Sequence, residues 1–164
     1  MRFRYELIMW KQHFLKLIPG AIGCSLRNML LPYKNGKNVT IFDDTHINSP
    51  SKLKIGDNVS IARRSIIDAG GGVEIGDTVI ISAGVVIYSQ NHNFHQKDIN
   101  INLQGYNTKA VIINENVWIG AQSIIFPGVT IGSNSIIGAG SVIKKDVEAS
   151  SIVSGNPVQF IRYR

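Results

Sequence analysis

The sequence predicts an all-β fold, a parallel β-helix with a helical arm before it. Two observations carry this. Isoleucine recurs at every sixth position through Ile113, Ile119, Ile125, Ile131, Ile137 and Ile143, and the same column is present upstream at Ile41 and Ile47, at Ile55, Ile61 and Ile67, and at Ile75, Ile81 and Ile87. A helix or a flat strand would spread a six-residue repeat over several faces. A small or β-branched residue precedes each downstream isoleucine by two (Val111, Val117, Ser123, Val129, Ser135, Ser141), and Gly or Asn often follows it, so each hexad reads as a short strand and a corner. So short a strand buries its isoleucine only when successive coils stack into one interior column.

Taken in order, residues 1–36 form the arm. Phe3, Leu7, Trp10, Phe14 and Leu17, widened by Ile8 and Leu15, give an amphipathic helix to about Ile18, ended by Pro19-Gly20. A second short helix fits Ala21 to Leu31 before Pro32. The arm reads either as a peripheral membrane anchor or as a helix packed on the prism or on a neighbouring subunit. Lys11, His13 and Lys16 interrupt any signal-like apolar run, and no uncharged run reaches the roughly 18 residues that span a bilayer.

Residues 37–164 form the repeat domain. The steps from Ile47 to Ile55 and from Ile67 to Ile75 are two residues too long, which predicts corner insertions, the second at Gly70-Gly71-Gly72. Between Ile87 and Ile113 the repeat lapses for a polar excursion, 88–110, rich in Asn and His; loops on rigid repeats are where chemistry collects. After Ile143, the stretch from Lys144-Lys145-Asp146-Val147 to Ser154-Gly155-Asn156-Pro157 and a basic tail closes the solenoid.

Composition suits one domain: 164 residues, 44% hydrophobic. Cys24 is the sole cysteine, so no internal disulfide or thiol zinc site forms, and a reducing cytoplasm is the simplest compartment. The net charge of +6 is concentrated in residues 1–34, where six basic side chains face Glu6 alone. That pattern suggests a membrane surface or an acidic partner, and no basic-aromatic nucleic-acid module is present.

Val117-Trp118-Ile119-Gly120-Ala121, Pro127-Gly128-Val129-Thr130-Ile131-Gly132, Ile137-Gly138-Ala139-Gly140-Ser141-Val142 and Gly155-Asn156-Pro157 closely resemble the C-terminal half of the galactoside, maltose and polysaccharide O-acetyltransferases, members of the hexapeptide-repeat acyltransferases. The arm and the Asp68-to-Gly72 turn look more like the capsule, O-antigen and colanic-acid branch. The resemblance implies a left-handed prism, a homotrimer with coenzyme A (CoA) between subunits, and acetyl transfer from acetyl-CoA to a sugar hydroxyl without metal. It places the general base at His92 in Gln90-Asn91-His92-Asn93-Phe94-His95, where a neutral imidazole can take the hydroxyl proton. It places the Ala121 backbone N–H at the oxyanion. Trp118, Gly120, Ala121 and Ala139 fall along the pantetheine channel, and Lys144, Lys145 and Arg162 near the nucleotide phosphates. Lys144 departs from the family, which often has a small hydroxyl residue there. For the acceptor, Asn91 lies beside the base; Asp68 is either a hydroxyl acceptor or a turn aspartate, and His95 either a substrate or orienting contact or a surface histidine.

Other readings are an acetyltransferase of amino sugars or xenobiotics, a γ-carbonic-anhydrase-like lyase using His46, His92 and His95 as zinc ligands, although their spacing does not match that family, and a non-catalytic solenoid. The acceptor, the hydroxyl acetylated and its carrier are not legible in the sequence.

Overall fold

The computed structural model describes residues 2–164, with side chains from Glu6 onward, so the Phe3 member of the apolar stripe lies outside the described side chains. Two helices, α1 (Arg2–Leu15) and α2 (Gly20–Leu30), precede a three-faced left-handed β-prism of about six coils. The first face stacks Lys34–Asn35, Leu53–Ile55, Val73–Ile75, Val111–Ile113 and Thr130–Ile131. The second stacks Thr40–Ile41, Ser60–Ile61, Ile80–Ile81, Trp118–Ile119, Ile136–Ile137 and Ser151–Ser154, with Gln159–Tyr163 folded back antiparallel. The third stacks His46–Asn48, Ile66–Asp68, Val86–Tyr88, Ile124–Ile125 and Val142–Ile143.

All fourteen isoleucines of the repeat are at most 5% exposed and form the interior column with the residues two positions before them. Corners three residues before an interior isoleucine adopt positive φ: Asn38, Asn58, Thr78, Asn116 and Asn134 between the first and second faces, and Asp44, Arg64, Gly84, Gln122 and Gly140 between the second and third. Asparagine tolerates this left-handed conformation and also bonds its neighbour along the axis, Asn38 Nδ2 to Asn58 Oδ1 at 3.0 Å and Asn116 Nδ2 to Asn134 Oδ1 at 2.8 Å.

Every lengthening of the repeat falls at the third corner, between the third and first faces. There the Pro50–Lys52 turn, the Gly70-Gly71-Gly72 turn and the long excursion stack in consecutive coils, and Lys52 Nζ donates to the Gly70 carbonyl at 2.6 Å. Pairing across the excursion stays in register: Val111, Ile112 and Ile113 lie beside Val73, Glu74 and Ile75.

In the prism, amides of one coil donate to carbonyls of the next, as Thr40 N–H does to the Val59 carbonyl, so carbonyls of the first coil have no strand beneath them. The arm supplies their donors. Asn28 Nδ2 reaches the Val39 carbonyl at 2.7 Å and Gln12 Nε2 the Ile47 carbonyl at 3.0 Å. Arg27 Nε reaches the Ile41 carbonyl at 2.8 Å, assisted by Cys24 Sγ at 3.2 Å, which gives the lone thiol a buried structural place. Arg27 Nη1 also holds the Leu15 and Ile18 carbonyls, at 2.6 and 2.9 Å. The Tyr33 hydroxyl donates to Asn28 Oδ1 at 2.9 Å, and burial pushes its pKa well above the ordinary phenol range, keeping it a donor.

One expectation for the arm changes. α1 stops at Leu15, short of Ile18, because Leu17 and Ile18 N–H turn back to the Phe14 and Leu15 carbonyls. Among the described side chains of α1 the buried ones are Gln12 and Leu15, whereas Leu7, Trp10, Phe14 and Leu17 of the stripe are 47–63% exposed. The end of the prism needs hydrogen-bond donors, so the docking face pairs Leu15 of the stripe with the polar Gln12, while Leu7, Trp10, Phe14 and Leu17 stay exposed.

Candidate active site

The third corner carries a cavity of about 370 Å³ lined by Asp68, Tyr88, Gln90, Asn91, His92, Tyr106, Phe126 and Pro127. Its floor is fixed by Asp68, which ends the strand Ile66–Asp68 and is 9% exposed. Oδ1 accepts the Gly70 N–H at 3.0 Å and Oδ2 accepts Gln90 Nε2 at 2.9 Å, leaving lone pairs on both oxygens for donors from a ligand. Gly70 leaves room for this contact: a Cβ there would displace the Gln90 amide.

Ser89 ties the excursion to the prism. Its Oγ donates to the Asp68 carbonyl at 2.7 Å and accepts the Gly71 N–H at 2.8 Å, while its carbonyl accepts the Lys109 N–H at 2.9 Å, so both ends of the loop close on one residue. From there Gln90–His92 and Tyr106–Thr108 run as an antiparallel hairpin with His92 opposite Tyr106. The two rings lie 4.4 Å apart between centroids at 36°. His92 is exposed, and among the described residues no hydrogen bond engages its ring nitrogens. Its backbone N–H is held by Asn91 Oδ1 at 2.9 Å. An imidazole fixed through its face and open at its nitrogens can exchange a proton with a group entering the cavity. Tyr88, Tyr106 and Phe126 supply aromatic walls around a few polar groups, as small-molecule sites generally do.

The sequence-predicted residues divide into two places. Asp68, Asn91 and His92 line the cavity. Lys144 stands beside it, its ammonium 5.5 Å from the centroid of Phe126. His95 does not line it; it is exposed and packs on Phe94, with centroids 4.6 Å apart. Lys145 is exposed near Lys144.

The remaining residues stand on the second face or at the corner between the second and third. Trp118 is 49% exposed and donates from Nε1 to Ser82 Oγ at 3.0 Å. Arg162 is exposed on the returning strand beside Ile152. At that corner the Ala121 carbonyl accepts the Gly140 N–H at 2.8 Å, and no described group accepts the Ala121 N–H. Gly120 permits close stacking of coils, since a Cβ there would meet the Ala139 nitrogen at 2.5 Å; Ala139 itself is exposed. His46 bonds Gln12 and Asn48, and among the described residues no three His, Cys, Asp or Glu side chains converge as ligands of one metal.

Sequence reasoning missed Gln90 as the partner of Asp68, and the walls Tyr88, Tyr106 and Phe126. The clue for Gln90 was the glycine at position 70, where a Cβ would meet its amide. Tyr106 meets His92 through a hairpin that carries no turn dipeptide of the usual kind.

Comparison with known proteins agrees with this architecture. Residues 110–145 match the bacterial transferase hexapeptide family (six repeats), and residues 52–89 the hexapeptide repeat of succinyl-transferase. The galactoside O-acetyltransferase of Escherichia coli K12 is 39% identical over 83 residues, 51% of this chain and 40% of that one. A putative colanic acid biosynthesis acetyltransferase of the same strain is 30% identical over 131 residues, 80% of this chain and 69% of that one. The structure of a galactoside acetyltransferase in complex with coenzyme A superposes with a TM-score of 0.87 at 28% identity, covering 99% of this chain and 81% of that one. A hexapeptide-repeat acetyltransferase of Vibrio cholerae gives 0.83 at 26% identity, covering 98% and 92%. The strongest curated matches extend over about two fifths of those proteins' lengths. With its repeats, its three-faced prism and these relatives, the chain belongs to the bacterial hexapeptide-repeat transferases.

Proposed function

We propose that this protein is an acetyl-CoA-dependent O-acetyltransferase acting on a sugar hydroxyl in surface-polysaccharide biosynthesis. The observation that carries the reading is the cavity that joins the open ring of His92 to the oriented carboxylate of Asp68 within aromatic walls. The colanic-acid relative, matched over 80% of this chain, supports the polysaccharide setting. The galactoside acetyltransferase solved in complex with coenzyme A supports the donor.

In this reading Asp68 accepts a hydrogen bond from one sugar hydroxyl and positions its neighbour against His92. The imidazole takes the proton as that oxygen attacks the thioester carbonyl. The oxyanion is met by the unpaired Ala121 N–H, the carbon–sulfur bond breaks, and the departing thiolate takes up the proton from His92, which returns to its neutral form. His92 and Ala121 occupy different corners of one prism, which favours a site completed by a second copy, as in a trimer with the donor between protomers. Trp118, Gly120 and Ala139 then flank the pantetheine, with Lys144, Lys145 and Arg162 toward its phosphates. Residues 1–36 and 37–164 are assigned as arm and transferase domain, and the enzyme to the cytoplasm, at the inner face of the membrane.

The test is thiol release from acetyl-CoA across a panel of sugars and nucleotide sugars. His92→Ala should reduce turnover by about 10²–10⁴-fold while CoA still binds. Turnover within a few-fold of the parent removes His92 as base, and lack of CoA binding by the parent protein removes the transferase reading.

A further inference from the structure

The hairpin of the long excursion brings one aromatic ring against the imidazole of the site. His92 and Tyr106 are direct partners in its antiparallel register, and such partners carry their side chains on the same side of the ribbon. Their rings stand 4.4 Å apart between centroids with 36° between planes. A histidine base is ordinarily oriented by an acceptor on its far ring nitrogen, and His92 has none among the described residues. Asp68, the one carboxylate lining the cavity, is turned to the Gly70 N–H and to Gln90. Asn91 Oδ1 holds the His92 backbone and not its ring.

The hairpin is braced at both ends. Beyond the pair, Asn93 N–H donates to the Gly105 carbonyl at 3.1 Å and Asn93 Nδ2 to the Gln104 carbonyl at 3.0 Å. The Gln104 side chain closes the tip: Oε1 accepts the Gln96 N–H at 3.1 Å, and Nε2 donates to the Gln96 and Ile99 carbonyls at 2.8 and 2.7 Å. Ser89 fastens the other end, so Tyr106 is carried on a ribbon that fixes its distance from His92.

We propose that Tyr106 is the positioning residue for His92, its ring holding the imidazole by one face in place of a hydrogen-bonded acceptor. The inference rests on His92 as the base assigned above and adds what orients it. When His92 takes the hydroxyl proton, the imidazolium lies against the electron-rich face of the tyrosine ring, inside the reach of about 6 Å over which a cation is attracted to it. That attraction is stronger for the cation than for the neutral ring, so it grows toward the transition state and lowers the barrier. No proton or electron pair passes through Tyr106. Because the stack leaves both nitrogens open, the imidazole can take the proton from the hydroxyl and hand it to the thiolate without breaking a hydrogen bond to the protein.

The experiment uses the full chain with isotope-labelled histidine, as the parent and as Tyr106→Phe, Tyr106→Leu and Tyr106→Thr. Tyr106 is 58% exposed and outside the interior column, so the prism stays folded without its ring, which circular dichroism checks. The His92 ring protons, assigned by their loss in His92→Gln, should resonate upfield under the tyrosine ring current. Tyr106→Phe should keep that shift, and Tyr106→Leu and Tyr106→Thr should lose it. With methyl hexopyranosides as acceptors, thiol release from acetyl-CoA should show kcat lowered at least about tenfold in Tyr106→Leu and Tyr106→Thr, with both KM values unchanged and Tyr106→Phe within about threefold of the parent. His92 resonances alike in the parent and Tyr106→Leu overturn the proposal, as does a kcat of Tyr106→Leu within about threefold of the parent. A raised acceptor KM at constant kcat also overturns it, by making Tyr106 a wall for the sugar alone. Absence of thiol release by the parent removes the transferase reading instead, and the resonances then decide on their own whether Tyr106 holds the imidazole.

Discussion

Arg27→Met tests whether the prism depends on its end cap. Arg27 is 2% exposed and no carboxylate pairs with it among the described residues; its partners are the carbonyls of Ile41, Leu15 and Ile18 and the Cys24 sulfur. Methionine keeps the volume and removes every donor. The Ile41 carbonyl keeps only the weak thiol bond, the Leu15 carbonyl keeps the Ile18 N–H at 3.3 Å, and the Ile18 carbonyl keeps no described donor. Three charge-assisted bonds at about 1.5 kcal/mol each are lost, against about 1.5 kcal/mol regained from burying the thioether chain, for a net destabilisation of about 3 kcal/mol. In urea, with a slope of about 1–3 kcal/mol per M, the midpoint should fall by about 1–3 M at matched protomer concentration. A fall below about 0.3 M with unchanged slope would refute the reasoning. It would mean that the desolvation cost of an unpaired guanidinium cancels its hydrogen bonds.

Three further outcomes follow from the geometry. Gly70→Ala should push Gln90 off Asp68 and raise the acceptor KM by about tenfold, with the CoA affinity and the circular dichroism spectrum unchanged; an unaltered KM would remove the pair from acceptor binding. Thr78 interrupts the asparagine column, as Ser150 does in the last coil, and holds φ 56° with a β-branched side chain, so Thr78→Asn should stabilise by about 1 kcal/mol, read as a rise of a few degrees in Tm. The Arg63 hydrogen bond holds the Asp43 carboxyl below the usual carboxylate range. Its contribution is therefore present above the unfolded value of about 3.9 and is lost as pH falls through the lower folded value. The stability difference between the parent and Asp43→Asn should shrink on acidification, and a difference flat with pH would contradict the assignment.

The fold was legible because a β-prism writes its core in one residue type at one spacing: every isoleucine of the column is interior. The corner insertions were legible for the same reason, since a step of eight stands out against six. The face by which the arm docks was not, because Gln12, Arg27 and Asn28 are polar residues chosen by orphan carbonyls, and a hydrophobic pattern ranks Trp10 and Phe14 above them. Within the site, Asp68, Asn91 and His92 were nominated and share a cavity. Gln90, Tyr106 and Phe126 were missed because their proximity comes from stacking of separate coils and from a hairpin register, neither of which leaves a local signature.

The third corner also separates chain length from core register. A two-residue insertion at the Gly70-Gly71-Gly72 turn and the long excursion in the next coil leave the same isoleucine ladder, Ile55 on Ile75 on Ile113, undisturbed. Segments entering and leaving at one corner, with both ends fastened through Ser89, form an interchangeable cassette. Replacing residues 91–108 can reshape one wall of the cavity, His92 included, while Asp68, its partner Gln90 and every interior contact stay in place. If the cavity takes the acceptor as proposed, a change of acceptor is a local edit, needing no renegotiation with the hydrophobic column.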